Sequence, residues 1–231
     1  MDPVIEFWDL NDANPVEPYF EFRGQNGHTG SITSLQLHET RQNILLSGSQ
    51  DRTVKVWDIQ KQSCLLTHTD FQQTVTNVKW SPQNDSLALV LQEASRFKLF
   101  DVRNKQGEVN TQFDFQVENF CVSKQNGDIV LLACKDGHIR VYDLKMNKVM
   151  GDVKVKAHNK EITCLQSNTQ GQIVSNGLDG LIKIFDKDLK EVKKMDTKVE
   201  VLFGSDLSRD NEQLFACGSG VGEVVIWNYG L

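Results

Sequence analysis

The sequence predicts an all-β fold built from a unit that repeats about every 43 residues. An aromatic residue followed by a polar one recurs six times in 231 residues, at intervals of 42 or 43 after a first interval of 49. Short runs of alternating apolar and polar residues precede these pairs, and a period of two indicates strands. No segment has a sustained helical apolar face. The pairs are Trp8-Asp9, Trp57-Asp58, Phe100-Asp101, Tyr142-Asp143, Phe185-Asp186 and Trp227-Asn228.

Each unit divides into four short strands. An apolar second strand leads into a tight turn, and turns such as Lys135–Gly137 and Leu178–Gly180 carry the Asp-Gly pair that supplies the positive φ of a two-residue hairpin. A first strand lies upstream, and a more polar fourth strand follows the aromatic pair. Four strands in about 43 residues are typical of a β-propeller blade. The predicted first strands are Ser31–Leu37, Thr74–Trp80, Val117–Ser123, Glu161–Gln166 and Val199–Gly204, and two predicted fourth strands are Glu108–Phe113 and Lys148–Val155.

The repeat predicts one propeller domain over residues 1–231, with five near-complete blades and a half blade. The half blade has only a third strand, Val4–Trp8, and a fourth strand, Tyr19–Phe22, and the last blade stops before its fourth strand. Unpaired strand edges favour aggregation. We therefore expect an open or partial propeller that another polypeptide completes, or a shortened form of a longer chain. The predicted boundaries are 1–24 for the half blade and about 25–69, 70–114, 115–156, 157–197 and 198–231 for the blades.

Composition excludes several functional classes. The net charge is −6, from 25 basic and 31 acidic residues, which argues against general electrostatic binding to nucleic acid. No apolar stretch approaches the roughly 18 residues of a membrane-spanning helix. The cysteines are five in number and dispersed, which predicts buried thiols and neither a disulfide framework nor a metal site. We expect no cofactor, no metal and no membrane contact.

The second unit resembles the WD-repeat family, and the resemblance extends over the whole chain. It shows Gly27-His28, Ser47-Gly48-Ser49, Asp51 and Trp57-Asp58. The resemblance implies a buried hydrogen-bonded set of His28, Ser47, Asp51 and Trp57, because a buried carboxylate needs donors that imidazole and hydroxyl groups can supply. We assign these four residues to structure and not to a catalytic Ser-His-Asp triad.

The other units keep fewer of these residues. The fifth unit has His158, Ser175 and Asp179, with Phe185 in place of Trp. The third is expected to keep only His68, the fourth keeps Asp136 without a matching His, and the sixth keeps neither the His nor the Asp.

The N-terminal residues indicate a narrower resemblance. Pro3–Leu10, Val16–Phe20 and Gly27–Thr29 are similar to the periodic tryptophan protein 1 family, a nucleolar WD-repeat group implicated in ribosome biogenesis. The similarity extends through Ala157–Ile162 and Val201–Ser205. Members of that family carry an acidic region and further blade strands before the Pro3–Leu10 stretch. We therefore favour a start at an internal methionine over a naturally half-open propeller.

The resemblance implies a non-enzymatic scaffold in ribosome biogenesis, in nucleolar pre-rRNA processing or large-subunit assembly. Its partners would be assembly factors, RNA would be met only through a complex, and the location would be the nucleus and nucleolus, with the cytoplasm left open. An alternative is a histone-tail or peptide reader, because an acidic propeller suits basic tails. A third is a ubiquitin-ligase substrate receptor, since Phe100–Arg103 loosely resembles a Trp-Asp-x-Arg docking box.

Enzyme functions find little support in the motifs. The glycine-rich Gly218–Gly222 resembles a phosphate-binding loop, but it joins two predicted strands, whereas a dinucleotide site needs a helix N-terminus. The five histidines are spread over three of the predicted blades. We predict that the protein is not an enzyme, with no catalytic residue and no small-molecule substrate.

The resemblance places partner contacts beside the short turns and at the openings of the first strands. An exposed Phe71 or Leu178 would be a plausible hot spot, because aromatic and apolar anchors carry much interface energy. The alternative, that Phe71 packs under a loop, stays open. The predicted partner face is Gln50, Phe71, Lys135, Lys160 and Leu178.

Overall fold

The computed structural model describes residues 3–9, 11, 17–23, 27–103, 109–199, 201–208 and 211–230. Regular structure in this part of the chain is β-strand, apart from one 3-10 turn at Glu93–Ser95. No helix among these residues is long and apolar enough to cross a membrane. The prediction of an all-β fold is confirmed.

The first compact unit, Met1–Asn110, contains a hairpin, one antiparallel sheet and all but the last two residues of another. The hairpin pairs β1 (Ile5–Phe7) with β2 (Phe20–Phe22). Sheet I is formed by β3 (Ile32–Leu37), β4 (Ile44–Ser49), β5 (Val54–Asp58) and β6 (Ser63–His68). Sheet II is formed by β7 (Val75–Trp80), β8 (Leu87–Gln92), β9 (Arg96–Asp101) and β10 (Val109–Gln112).

The second compact unit, Thr111–Leu231, contains three antiparallel sheets. Sheet III is formed by β11 (Val117–Val122), β12 (Ile129–Cys134), β13 (His138–Asp143) and β14 (Lys148–Lys156). Sheet IV is formed by β15 (Ile162–Ser167), β16 (Ile173–Gly177), β17 (Leu181–Phe185) and β18 (Glu191–Asp196). Sheet V has β19 (Leu202–Leu207), β20 (Leu214–Ser219) and β21 (Val224–Asn228). The single domain and its blade boundaries stay predictions.

Neighbouring sheets within a unit bury apolar layers between them. Alternation along β5 sends Val54 and Val56 towards sheet II and Trp57 towards the hairpin, where it stacks on Phe22 at 4.4 Å between ring centroids. In the second unit, one apolar cluster joins sheets III and IV, and another joins sheets IV and V. The inner strands are therefore almost fully buried, while the fourth strands β14 and β18 are mostly exposed.

The predicted first and fourth strands agree with the observed ones to within one residue at each end, except the first strand of sheet V. The first strand of sheet V begins at Leu202 and not at Val199, because pairing with β20 starts with Leu202 opposite Ser219. The fourth strand of sheet II is Val109–Gln112, and Glu108 of the predicted segment lies outside the described residues.

Candidate functional site

Four side chains of sheet I form one hydrogen-bonded set, the His28 tetrad (His28, Ser47, Asp51 and Trp57). The Nε1 atom of Trp57 donates to Ser47 Oγ at 2.8 Å, and Ser47 Oγ lies 2.6 Å from His28 Nε2. His28 Nδ1 lies 2.9 Å from Asp51 Oδ2. Because the indole can only donate, we assign the Ser47 hydroxyl proton to the bond with Nε2, which leaves the imidazole proton on Nδ1 facing Asp51.

The Asp51 carboxylate organises the turn between β4 and β5. It accepts bonds from the backbone N–H and the hydroxyl of Thr53, at 2.9 and 2.6 Å, and from the N–H of Thr29 at 2.8 Å. Burial acts to raise the pKa of Asp51, but these bonds and His28 outweigh it and lower the pKa to about 2. Burial also lowers the pKa of His28, against the opposing effect of Asp51. The tetrad therefore holds a carboxylate and a neutral imidazole at pH 7.

Sheet IV repeats three of these contacts in the His158 trio (His158, Ser175 and Asp179). His158 Nδ1 lies 2.8 Å from Asp179 Oδ1, and His158 Nε2 lies 2.7 Å from Ser175 Oγ. Burial lowers the pKa of His158, as it does that of His28. Phe185 stands at the aromatic position and has no donor, so the set ends at the serine.

The order serine, histidine, aspartate is also that of a hydrolase triad. Ser47 and Ser175 are both 0% exposed, and the Trp57 indole already donates to Ser47 Oγ. A substrate carbonyl cannot reach a serine that has no exposed surface. The geometry therefore favours a structural role for both sets.

Phenylalanine stands at the histidine position in sheets II and III. Phe71 precedes Thr74 by three residues, as His28 precedes Ser31, and it is 6% exposed. Its ring meets Phe100 edge-on, with centroids 5.9 Å apart. In sheet III, Phe113 meets Tyr142 in the same manner at 5.5 Å. Both sheets thus replace polar groups of the tetrad with apolar packing.

Two expectations for sheet II are therefore wrong. Phe71 is not an exposed anchor, because its side chain fills the interior position that His28 occupies in sheet I. His68 is not the tetrad histidine: it ends β6, and its Nε2 lies 3.2 Å from the carbonyl oxygen of Val102. Val90 and Ala94 stand at the serine and aspartate positions of this sheet and have no side-chain polar atoms.

Asp136 in sheet III turns towards an arginine. Arg140 Nη1 and Nη2 donate to its two carboxylate oxygens at 2.9 and 2.6 Å, and the guanidinium lies 4.3 Å from the Phe115 ring centroid. The bidentate bond from Arg140 holds the pKa of Asp136 well below its usual range, although burial opposes it. Asp136 is thus paired although sheet III has no histidine at the tetrad position; its nearest imidazole is that of His138, whose Nδ1 lies 3.3 Å from Oδ2.

An equivalent position follows the second strand in each of sheets I to V, and we call this position, in each sheet by itself, the turn edge of that sheet. At each, the backbone N–H donates to the carbonyl oxygen of the residue immediately before the first strand, at 2.9 or 3.0 Å. The positions recur every 42 or 43 residues, so the repeat interval could have identified Glu93 and Gly220, which the sequence prediction missed. The donors and acceptors are Gln50 to Ser31, Glu93 to Thr74, Lys135 to Gln116, Leu178 to Glu161, and Gly220 to Val201.

The remaining predicted partner residues lie at the turn edges of their sheets or close to them. Gln50, Lys135 and Lys160 are exposed, and Leu178 is half-buried. Lys135 Nζ lies 3.2 Å from Glu161 Oε1, and this contact raises the pKa of Lys135. Four of the five predicted residues are thus at least partly accessible and Phe71 is buried, and the partner face stays a prediction.

The docking-box residue and the metal-ligating residues can also be placed. Arg103 is largely exposed, and its Nη2 donates to Asp101 Oδ2 at 2.9 Å. Over the residues that the structure describes, no group of three or more His, Cys, Asp or Glu side chains could hold a metal ion.

Successive antiparallel sheets that bury a His-Ser-Asp-Trp set define a repeat protein of the β-propeller class. The family model described as WD domain, G-beta repeat matches residues 19–58, and that described as Anaphase-promoting complex subunit 4 WD40 domain matches residues 79–170. The chain belongs to the WD-repeat family. Members of this family are generally non-catalytic scaffolds.

Three curated relatives are similar to the chain. Periodic tryptophan protein 1 homolog of Drosophila melanogaster is 28% identical over 210 residues, which are 84% of this chain and 45% of the relative. WD repeat-containing protein 44 of Xenopus laevis is 28% identical over 64% of this chain and 16% of the relative. WD repeat-containing protein AAC3 of Dictyostelium discoideum is 25% identical over 72% of this chain and 36% of the relative. The chain spans less than half the length of each.

A solved structure has the same fold. The β-propeller domain of Cps50 (Swd1) from Myceliophteria thermophila superposes with a TM-score of 0.79 at 20% identity, over 99% of this chain and 78% of that one. The likeness concerns the fold alone. The prediction of a WD40-type β-propeller is confirmed.

Proposed function

We propose that the chain is a non-catalytic protein-interaction scaffold in ribosome biogenesis, in nucleolar pre-rRNA processing or large-subunit assembly. The 28% identity to Periodic tryptophan protein 1 homolog supports this assignment, because the family that the N-terminal residues resemble is implicated in ribosome biogenesis. The protein would work in the nucleus and nucleolus, with the cytoplasm open. It would bind assembly factors, contact RNA only within a complex and bind no small-molecule substrate.

The observation that carries the scaffold proposal is the chemistry of the turn edges. Each of the five positions makes an equivalent backbone hydrogen bond, but their side chains differ. They are glutamine, glutamate, lysine, leucine and glycine. The shared bond holds each turn in place without using the side chain. A rigid frame that presents varied side chains on its turns is typical of a binding surface.

A second candidate, a reader of basic peptides or histone tails, is favoured by the net charge of −6. An acidic surface attracts a basic tail, and the affinity should fall as salt screens the charges. Titration of a labelled basic peptide at 50 and 300 mM salt tests this candidate. Equal affinity at both salt concentrations, or no binding, would rule it out.

A third candidate, a ubiquitin-ligase substrate receptor, depends on Arg103. Because Asp101 already pairs with this guanidinium, an adaptor would have to share it or displace the carboxylate. Arg103→Ala should abolish adaptor binding if this candidate holds. Unchanged adaptor recovery would exclude it.

The test of the main proposal is affinity purification of the endogenously tagged full gene product, with mass spectrometry and RNA analysis. We expect large-subunit assembly factors and ribosomal RNA precursors at moderate salt. Histones or a cullin adaptor without ribosomal material would contradict the proposal.

A pair of matched variants tests the surface itself. Alanine at the four accessible residues of the predicted partner face should remove partners, whereas alanine at four exposed residues elsewhere on the chain should retain them. The first variant changes Gln50, Lys135, Lys160 and Leu178, and the control changes Gln60, Lys148, Lys154 and Val192. Equal recovery by both variants would place the interaction away from the predicted partner face.

A further inference from the structure

An apolar residue follows the aromatic-polar pair in sheets I, II, III and V. Its N–H donates to the carbonyl oxygen of the residue before the second strand, at 2.8 or 3.0 Å. Val102 is buried in the apolar cluster between sheets I and II, and Tyr229 is buried in the cluster between sheets IV and V. This position therefore supplies an apolar side chain to the layer between a sheet and the one before it. The four residues are Ile59, Val102, Leu144 and Tyr229.

Sheet IV carries Lys187 at this position, and the lysine is exposed. The turn after β17 also has its own hydrogen bonds: the Asp186 N–H donates to the Lys190 carbonyl oxygen, and the Leu189 N–H donates to the Asp186 carbonyl oxygen, both at 3.0 Å. Leu189 has a φ of +59°, and its buried side chain belongs to the apolar cluster between sheets III and IV. The apolar residue of this turn thus comes two positions later than in the other sheets.

A cavity of about 230 Å³ lies between sheets III and IV beside Lys187. It arises because the lysine is turned to solvent at a position where Val102 and Tyr229 pack inward in their own sheets. An apolar cavity of about 150 Å³ is enough to bind benzene, so this one can hold a six-membered ring. The buried residues of its floor are Leu131, Val141, Ile173 and Leu189.

Polar groups surround the mouth of the cavity. Gln125, Asn126 and Lys187 are exposed and line it, and Lys187 is the charged residue among the lining residues that the structure describes. The carboxylate of the preceding Asp186 is engaged in its own turn, where Oδ1 accepts two backbone N–H groups at 2.9 Å. The mouth therefore offers an ammonium group and two side-chain amides to a ligand.

We infer that this cavity binds a small amphipathic carboxylate, with an apolar body the size of a six-membered ring against the floor and the carboxylate beside Lys187. An exposed ion pair contributes little affinity, so the apolar body supplies most of it and the ammonium group selects the charge of the ligand. The amides of Gln125 and Asn126 can donate to the carboxylate oxygens. The site would hold this ligand without transforming it, so the inference goes beyond the proposed scaffold function and is compatible with it.

Small probes of defined charge test the site with the full chain. NMR titration of the isotope-labelled protein at pH 7 compares phenylacetate with neutral phenylacetamide, with cationic phenethylamine and with acetate, which lacks the apolar body. We expect phenylacetate to bind with a Kd of about 1 mM or below, at least about threefold more tightly than phenylacetamide. Phenethylamine and acetate should bind more weakly than either.

Three lysine variants locate the binding. Lys187→Leu places an apolar side chain where the other sheets have one, so it should fill the cavity and weaken phenylacetate binding at least about tenfold. Lys187→Gln keeps the cavity and removes the charge, so phenylacetate should lose its advantage over phenylacetamide. Lys194→Gln is the matched control, because Lys194 is exposed on β18 of the same sheet and lies outside the lining set, and binding should not change. Thermal unfolding checks each variant, and Lys187→Val replaces Lys187→Leu if the latter does not fold.

Three results would overturn the site: no binding of phenylacetate, equal affinity for phenylacetate and phenethylamine, or full binding by the variant that fills the cavity. The scaffold function can fail separately. Purified chain that does not bind phenylacetate contradicts only the cavity site, whereas tagged protein that recovers no ribosomal material contradicts only the proposed function.

Discussion

Phe71 meets Phe100 edge to face, with ring centroids 5.9 Å apart and planes at 65°, and His28 meets Trp57 at 6.1 Å with the same angle. Sheets I and II therefore keep the same ring packing geometry, although the His28–Trp57 pair of sheet I is replaced by the apolar Phe71–Phe100 pair in sheet II. The exchange is possible because the whole set changes together. A buried polar network stabilises only when every member has its partners, and an apolar set needs none.

Ser47→Ala should destabilise the protein by about 2 to 4 kcal/mol. The change leaves the Trp57 indole and the His28 Nε2 without their shared partner, and each unsatisfied buried group costs roughly 1–3 kcal/mol. Urea unfolding followed by tryptophan fluorescence measures the loss. Ser31→Ala, at an exposed position, should change the unfolding free energy by less than about 0.5 kcal/mol. Equal effects of the two substitutions would contradict the structural role of Ser47.

Phe71→His should destabilise sheet II even though histidine is the residue found at this position in sheet I. Val90 and Ala94 offer no side-chain partner to the imidazole, so its buried nitrogens would cost about 1–3 kcal/mol each. The triple variant with Val90→Ser and Ala94→Asp supplies both partners and should recover part of the loss. The φ of Ala94 is 56°, which aspartate tolerates. A triple variant no more stable than Phe71→His would refute the equivalence of these positions.

The free energy of unfolding should decrease in two stages as the pH is lowered. His28 and His158 have pKa values lowered by burial, so the unfolded chain binds more protons below about pH 6.5, and stability declines there as pH falls. Asp51 has a pKa of about 2 against an unfolded value of 3.8, so its contribution is complete above about pH 4 and is lost as pH falls towards 2.

Urea midpoints between pH 8 and pH 2.5 measure both stages. Asp51→Asn should flatten the part of the curve below pH 4 and leave the decline near pH 6.5 in place. A midpoint that stays constant from pH 8 to pH 5 would show that the histidines are not buried in neutral form.

Gly137→Ala should destabilise sheet III by more than about 1 kcal/mol. Gly137 has φ +77°, and a Cβ there would lie 2.1 Å from the His158 carbonyl oxygen, so both the backbone and its neighbour would have to shift. Gly151→Ala is the control, because a Cβ at that position meets nothing within 4 Å. Thermal unfolding should separate the two variants by several degrees. Equal melting temperatures would contradict the described turn.

The two predicted hydrogen-bonded sets are present, the partner face stays a prediction, and the two wrong assignments in sheet II have a common cause. The sequence interval identified the His28 tetrad and the His158 trio because histidine, serine and aspartate stand at recognisable spacings. It misassigned His68 and Phe71 because a histidine was sought where the structure has a phenylalanine. Residue type was enough to identify the hydrogen-bonded polar sets. The apolar residues at the same positions of other sheets could be identified only from equivalent backbone positions, which the turn hydrogen bonds define.

The sequence by itself determined the all-β class, the repeat of about 43 residues and most strand positions, because alternation and turn residues are local properties of the chain. Only the tertiary structure decided which side chains are buried. Phe71 is enclosed by residues of sheets I and II, and Phe203 is left open beside Gly220. Burial depends on neighbours that are distant in sequence, and the identity of a single aromatic residue does not reveal those neighbours.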